Sequence, residues 1–217
     1  MRGSPLALGL ITGILLATGV AWGVFALVGT PAPRPPEPVS ARSPEPGPTP
    51  EESRDPTPKK ADLAGRVSRG GLVAVSIRGG KAVGYFCDGT NEVWMKGTAR
   101  DNRVKLSGAE DGDFTLTAEL RDGRATGRLG PRGDTWRFTA STVRKPSGLY
   151  RATADVRGSR IIGGWIVLAD GTQVGAVSVD GLAEPAPRLT PGRDVSSYGV
   201  ALRPEGVDAF FAGVAGG

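Results

Sequence analysis

The sequence predicts a mainly β protein with an N-terminal transmembrane helix, a Pro-rich linker and a short C-terminal helix. The strands are expected to form an antiparallel meander of about eight to ten strands, either an up-and-down barrel or a strongly coiled sandwich. Three observations support this architecture: an uncharged apolar run near the N-terminus, a proline-rich run after it, and closely spaced turn motifs along the rest of the 217 residues.

The apolar run extends over residues 5–29 and contains no charged side chain. As a helix it would be about 37 Å long, which exceeds the roughly 30 Å of hydrocarbon in a bilayer. We therefore predict a single-pass anchor in the cell membrane, with residues 1–4 as a cytoplasmic tail and the following domain outside the cytoplasm. The alternative is a cleaved signal peptide, whose apolar region is usually shorter and whose removal would release a secreted protein.

Residues 30–62 form the predicted stalk. Eleven prolines lie between Pro31 and Pro58, and proline disrupts helices and sheet ladders while it favours polyproline II. At about 3.1 Å per residue, such a segment spans up to roughly 90 Å. We predict a disordered spacer that holds a folded domain away from the membrane.

The folded β-domain is predicted over residues 63–203. Asp-Gly, Gly-Gly and related pairs separate its apolar runs, and two-residue hairpins favour such pairs because both central residues need a positive φ. The predicted turns lie at 79–80, 88–89, 101–102, 111–112, 122–123, 131–133, 146–148, 157–159, 170–171 and 180–181. Turns at this spacing predict consecutive antiparallel strands.

Side-chain alternation supports these strands. In the segment DFTLTAEL, apolar residues alternate with Thr and Glu, which predicts one buried face. The segments RIIGGWIVLAD and TQVGAVSVD are apolar on both faces, so another element is expected to cover them. Glycines inside predicted strands, such as Gly84 and Gly127, permit the bends that a closed barrel needs.

Residues 204–217 are predicted to be a short helix and tail. Pro204 suits the first turn of a helix, and Val207, Phe210 and Phe211 would share one face. Such a helix would either close a barrel end or cover the apolar outer face.

The composition excludes several chemistries. The chain has no histidine and one cysteine, which removes His-dependent nucleophilic catalysis and the usual zinc sites. The sequence also lacks phosphate-binding loops and serine-hydrolase motifs. We therefore predict a protein that is not an enzyme, with no catalytic, cofactor-binding or metal-binding residue and no cofactor.

The charge pattern argues against nucleic-acid binding. The net charge is +5, and the basic residues alternate with acids and glycines without forming a dense block. Paired carboxylates at a barrel mouth could still perform acid/base chemistry, although most of the candidates occupy turn positions that Asp favours for conformational reasons. The candidate carboxylates are Asp88, Glu92, Glu110, Asp111, Asp113, Asp170 and Asp180.

Cys87 and the aromatic residues are the remaining candidates. Without a histidine base or a second thiol in the chain, Cys87 is interpreted as a small buried apolar residue, with an intermolecular disulfide as the alternative. Tyr85, Trp94, Trp136 and Trp165 are predicted either to line an apolar ligand cavity or to fill the core, as aromatic residues do in most β domains.

The motifs CDG, W-x-KG, GLYRA and GGWIVL-x-DG, together with the anchor and the stalk, resemble exported or membrane-anchored actinobacterial proteins of unknown function. The resemblance covers residues 73–180 and implies a location and an architecture but no reaction.

Three functions are consistent with these features. The first is a non-catalytic binding module that contacts a cell-envelope component or a protein partner. The second is a carrier with a small apolar ligand in a barrel cavity. The third is a carboxylate-dependent hydrolase of envelope glycans, which needs two acids roughly 5–10 Å apart in a cleft.

Overall fold

The computed structural model describes residues 56–108 and 112–216, and in this part the chain is mainly β, as predicted. The predicted cytoplasmic tail (1–4), the transmembrane helix (5–29) and most of the stalk (30–62) lie outside the described residues. Within the described part of the chain, no helix is long and apolar enough to cross a membrane.

Eight consecutive strands form a closed antiparallel barrel. Each strand pairs with the next one along the chain, and the last pairs with the first. The barrel strands are β1 (Lys60–Val67), β2 (Leu72–Arg78), β3 (Lys81–Cys87), β4 (Glu92–Arg100), β5 (Arg103–Gly108), β6 (Phe114–Arg121), β7 (Arg124–Pro131) and β8 (Trp136–Thr142).

The later strands do not join this barrel, which differs from the single meander of about eight to ten strands that the sequence predicts. Because β8 pairs with β1 through Leu63 to Val67, the barrel has no free edge, and the segment at 146–148 leads to a second sheet instead of a hairpin. That sheet has the order β12-β11-β10-β9-β15.

The second part of the chain contains seven short or medium strands and one helix. They are β9 (Gly148–Val156), β10 (Ser159–Val167), β11 (Gln173–Val179), β12 (Leu182–Pro185), β13 (Val195–Ser197), β14 (Val200–Leu202), β15 (Glu205–Gly206) and α1 (Val207–Gly216). Strands β13 and β14 pair only with each other.

Predicted hairpin turns connect the strands with the expected backbone conformation. In β4–β5, Asp101 and Asn102 have φ values of 50° and 55°, and in β6–β7, Asp122 and Gly123 have φ values of 50° and 69°. Left-handed conformations at both central residues match the twist of antiparallel hairpins. The turn motifs therefore located most strand ends correctly.

The barrel interior is filled by apolar side chains from all eight strands, which form one cluster. In β6 the predicted alternation is confirmed, because Phe114, Leu116, Ala118 and Leu120 are buried and the residues between them are exposed. An eight-stranded barrel has an interior just wide enough for such side chains.

The second sheet is buried on both faces, as its apolar segments predict. One face packs on the outer surface of the barrel, where Leu149 and Ile166 share a cluster with Leu72 and Cys87. The C-terminal segment covers the other face, where Leu189 and other residues pack around Trp165.

Helix α1 lies on the outer surface of the barrel and does not close its end. It begins at Val207, three residues after Pro204. Val207 and Phe211 pack against Val83 of β3. An ion pair of 2.7 Å between Arg78 and Asp208 fixes the first turn to the barrel.

Candidate functional site

One end of the barrel carries a groove of about 560 Å³, which we call the mouth groove. Its floor comes from residues near the strand ends that meet there: Phe86 lies one residue before the end of β3, Phe114 begins β6 and Trp136 begins β8. The loop after β3 and the β11–β12 hairpin form its sides, the latter through Leu182. Leu182 is 80 % exposed and places an apolar side chain at the rim.

The floor is a cluster of three aromatic rings. The ring centroids of Phe86 and Phe114 are 5.7 Å apart, and those of Phe86 and Trp136 are 5.5 Å apart. The Phe114 and Trp136 rings meet edge-on at 6.1 Å. These are favourable aromatic geometries, so the floor is a fixed apolar surface.

Trp136 also has a cation–π contact and a polar indole N–H. The Arg69 guanidinium lies 5.1 Å from the centre of its ring, within cation–π distance. A 2.6 Å ion pair with Asp134 holds Arg69 in this position. The indole N–H of Trp136 is buried and has no acceptor among the described residues, so a hydrogen-bonding donor is unused beside the groove.

Asp88 on the rim uses its carboxylate for hydrogen bonds within its own turn. Its Oδ1 accepts hydrogen bonds from the backbone N–H groups of Thr90 and Asn91 at 2.9 and 2.7 Å. Its Oδ2 accepts a hydrogen bond from Nδ2 of Asn91 at 2.9 Å. Partial burial acts to raise the pKa of Asp88, but hydrogen bonds from Asn91 and Thr90 hold this pKa below its ordinary value. The carboxylate is therefore a structural acceptor, as predicted for a turn aspartate.

Glu92, the first residue of β4, lies on the same rim in a different environment. The Tyr85 hydroxyl donates a 2.6 Å hydrogen bond to its Oε2. Burial raises the pKa of Glu92, although hydrogen bonds from Tyr85 and Ser178 and the charge of Arg151 oppose the shift. The two carboxyl groups of the groove thus have pKa values displaced in opposite directions.

Behind Glu92, aromatic and polar groups meet between the barrel and the second sheet. The ring centroids of Tyr85 and Trp94 are 4.3 Å apart with the rings tilted, and the guanidinium of Arg151 lies 5.2 Å from the Trp94 ring. The Tyr85 hydroxyl also lies 3.3 Å from the carbonyl oxygen of Gly164. Nε1 of Trp94 and Nε of Arg151 have no partner among the described residues.

Cys87 is a free, fully buried residue in the cluster between the barrel and the second sheet. Its sulfur accepts the N–H of Gly89 at 3.4 Å. Burial raises the pKa of the thiol to about 11, so it is protonated at neutral pH and is a poor nucleophile. This agrees with the interpretation of Cys87 as a small buried apolar residue.

The four predicted ligand-lining residues lie in three separate places. Tyr85 and Trp94 pack against each other on the outer surface of the barrel. Trp136 lies in the mouth groove. Trp165 lies on the far face of the second sheet, where its indole N–H donates to the carbonyl oxygen of Pro187 at 2.9 Å. The structure therefore does not gather them around one cavity.

Sequence reasoning missed Arg69 and Phe114 as groove residues and did not separate Glu92 from the turn aspartates. The available signal was position: Glu92 begins a strand, whereas Asp170 and Asp180 lie in turns. Their carboxylates accept backbone N–H groups of Thr172 and Arg160. Glu110 and Asp111 lie outside the described residues.

Among the described residues, no group of three or more Cys, Asp or Glu side chains could hold a metal ion. No protein family, no curated protein and no solved structure matches the chain.

Proposed function

We propose that the protein is a membrane-tethered binding module whose β-domain lies outside the cytoplasm and contacts a cell-envelope component through the mouth groove. The observation that carries the proposal is the groove itself, which combines the aromatic floor and the exposed Leu182 with the carboxyl group of Glu92. An apolar surface with a few polar groups is typical of ligand sites.

The proposed location has support from the sequence. Residues 5–29 are uncharged and long enough to cross a bilayer. The proline-rich stalk would separate the β-domain from that bilayer. The resemblance to exported actinobacterial proteins agrees with the same arrangement.

Binding at the mouth is favoured over carriage inside the barrel. A carrier needs room in the barrel interior, whereas here side chains of all eight strands meet there as one apolar cluster. A small apolar ligand would accordingly contact the aromatic floor from outside.

Glycan hydrolysis is the second candidate function. Asp88 and Glu92 line one groove, and their pKa values are shifted in opposite directions, which is a property of acid/base pairs. Both oxygens of Asp88 accept hydrogen bonds within its own turn. We therefore favour binding without catalysis.

The test is co-sedimentation of the full-length protein, in detergent micelles, with isolated cell-wall polysaccharide from the producing organism. Salt at about 0.5 M screens non-specific charge attraction. We expect binding at micromolar protein and a loss of about tenfold in Leu182→Asp, which replaces an apolar contact by a charge. Tyr198→Asp is the matched control, because Tyr198 is the other exposed large apolar residue of the described chain and lies outside the groove.

Failure of the wild-type protein to sediment, or equal losses in both variants, would contradict binding through the groove. Release of soluble saccharide that Glu92→Gln abolishes would instead support hydrolysis.

A further inference from the structure

The outer surface of β5–β8 is strongly basic. The charged residues of these four strands are six cations and a single carboxylate, and all of them are exposed. We call this surface the basic wall. It is defined by Arg103, Lys105, Glu119, Arg121, Arg124, Arg128 and Arg137.

Folding assembles the wall from residues that are dispersed in the sequence. Apolar residues and glycines separate the cations along the chain, but a strand sends alternate side chains to the same face. In the barrel, Lys105 lies opposite Thr117, Thr117 opposite Arg128, and Arg128 opposite Arg137. Neighbouring strands are about 4.8 Å apart, so these four residues form one row across the wall.

Hydroxyl groups lie between the cations. Thr117, Thr126 and Thr139 are exposed on the same surface, and Thr126 lies opposite Thr139. Arginine and hydroxyl side chains are the groups that commonly contact phosphate oxygens. Five of the six cations are arginines, whose planar guanidinium donates two hydrogen bonds to one phosphate.

In the part of the chain that the structure describes, most of the wall cations have no recorded ion pair. Among the described residues, Lys105, Arg124 and Arg137 have no carboxylate within salt-bridge distance. Arg103 approaches Glu119 at only 4.0 Å, and both side chains are exposed, which makes this a weak interaction. The wall therefore retains positive charge available to a partner.

Two grooves in the wall form a continuous track. A groove of about 310 Å³ crosses β5, β6 and β7, and one of about 780 Å³ continues over β8 to β1. They share Thr126, Gly127 and Arg128.

We propose that the basic wall binds a linear polymer, other than a nucleic acid, whose repeating unit carries a phosphodiester. A continuous track suits a chain better than a flat membrane. The exposed large apolar residues of the described chain, Leu182 and Tyr198, lie outside these four strands, so none there enters a lipid interface. The outward positions of β5–β8 also carry no aromatic side chain on which nucleic-acid bases could stack.

The test measures the affinity of the full-length protein in detergent micelles for a synthetic poly(glycerol phosphate) over a range of salt concentrations. We expect the logarithm of the association constant to fall linearly with the logarithm of salt concentration, because each neutralised phosphate releases counterions. The triple variant K105Q/R124Q/R137Q should lose at least about tenfold in affinity, and its salt slope should decrease by about 2.

The matched control is R144Q/R188Q/R193Q, which removes the same charge from exposed positions outside the wall. We expect its affinity to stay within about twofold of wild type, since distant charges are screened. Leu182→Asp should also leave this affinity unchanged, which separates the wall from the mouth groove. If the triple variant unfolds at a lower temperature than wild type, the single variant Arg137→Gln should still lose affinity, by less than the loss expected of the triple variant.

Three comparison ligands decide the chemistry: polygalacturonate, a dT20 oligonucleotide and vesicles of an anionic phospholipid. The proposal requires poly(glycerol phosphate) to bind more tightly than all three at equal charge concentration. Tighter binding of the oligonucleotide, the carboxylate polymer or the vesicles would each overturn it. Equal losses in the wall variant and the control variant would also overturn it, because they would indicate attraction to net charge alone.

Discussion

At the scale of single residues, Glu92 connects the mouth groove to the interior of the molecule. Its carboxylate lines the groove and accepts a 2.6 Å hydrogen bond from the hydroxyl of the fully buried Tyr85. Burial raises its pKa, so folding favours the protonated form. The carboxylate that the groove offers to a ligand therefore costs the fold some stability when it is ionised.

This cost predicts a pH-dependent effect of Glu92→Gln. Because the folded state raises the pKa of Glu92, wild-type stability falls as the pH rises from the ordinary glutamate pKa through the raised one. Glutamine stays neutral and keeps an oxygen for the Tyr85 hydroxyl. We expect the variant to be more stable than wild type at pH 7, by about 1 kcal/mol or less, and equal to it below about pH 4.

Thermal unfolding at several pH values measures this difference. The control is Glu119→Gln on the exposed wall, which should change stability by less than about 0.5 kcal/mol at any pH. A Glu92→Gln variant that is less stable than wild type at neutral pH would contradict the argument.

The role of a single residue was predictable from the sequence when its contacts lie close to it along the chain. The role of Asp88 was predictable, because its hydrogen bonds stay within four residues. The environment of Glu92 was not, because Arg151 and Ser178 act on it from distant strands. The unused N–H of Trp136 likewise depends on which strand ends meet at the mouth.

At the scale of elements, glycines allow barrel strands to approach each other closely. A Cβ at Gly127 would collide with the backbone of Thr117 and Ala118 in β6. Backbone atoms of a paired strand cannot move aside without a loss of hydrogen bonds. Gly127 therefore permits the tight local geometry of the barrel wall.

We expect Gly127→Ala to destabilise the protein by about 2 kcal/mol or more, as overpacking does when the backbone must shift. Gly213→Ala is the matched control. Gly213 lies in α1 with open space around its position, so alanine there should raise stability by up to about 1 kcal/mol through helix propensity. Urea denaturation measures both changes, and equal effects at the two positions would contradict the close approach at Gly127.

The alternation and the turn motifs predicted the existence and type of most elements. They did not predict where the barrel closes, because closure depends on the pairing of Leu63 with Thr142 across the chain. The same limit hid the basic wall, whose row from Lys105 to Arg137 exists only after four strands align.

At the scale of the whole molecule, the barrel and the second sheet share one apolar cluster. Leu72 and Cys87 of the barrel pack with Leu149 and Ile166 of the sheet, and all four are buried. Separation of the two parts would expose these side chains to water, at a cost of roughly 25 cal/mol for each Å² of apolar surface. We therefore infer that the two parts unfold together.

Native-state hydrogen exchange of the full-length protein tests this inference. If unfolding is cooperative, amides of β6 in the barrel and β10 in the sheet exchange with the same opening free energy. Leu116→Ala empties space in the barrel interior, where Leu116 is fully buried, and should lower both opening free energies equally, by about 2–5 kcal/mol. Leu182→Ala, at an exposed rim position, should change neither. A loss confined to β6 would mean that the barrel opens without the sheet, in which case the shared cluster does not couple them.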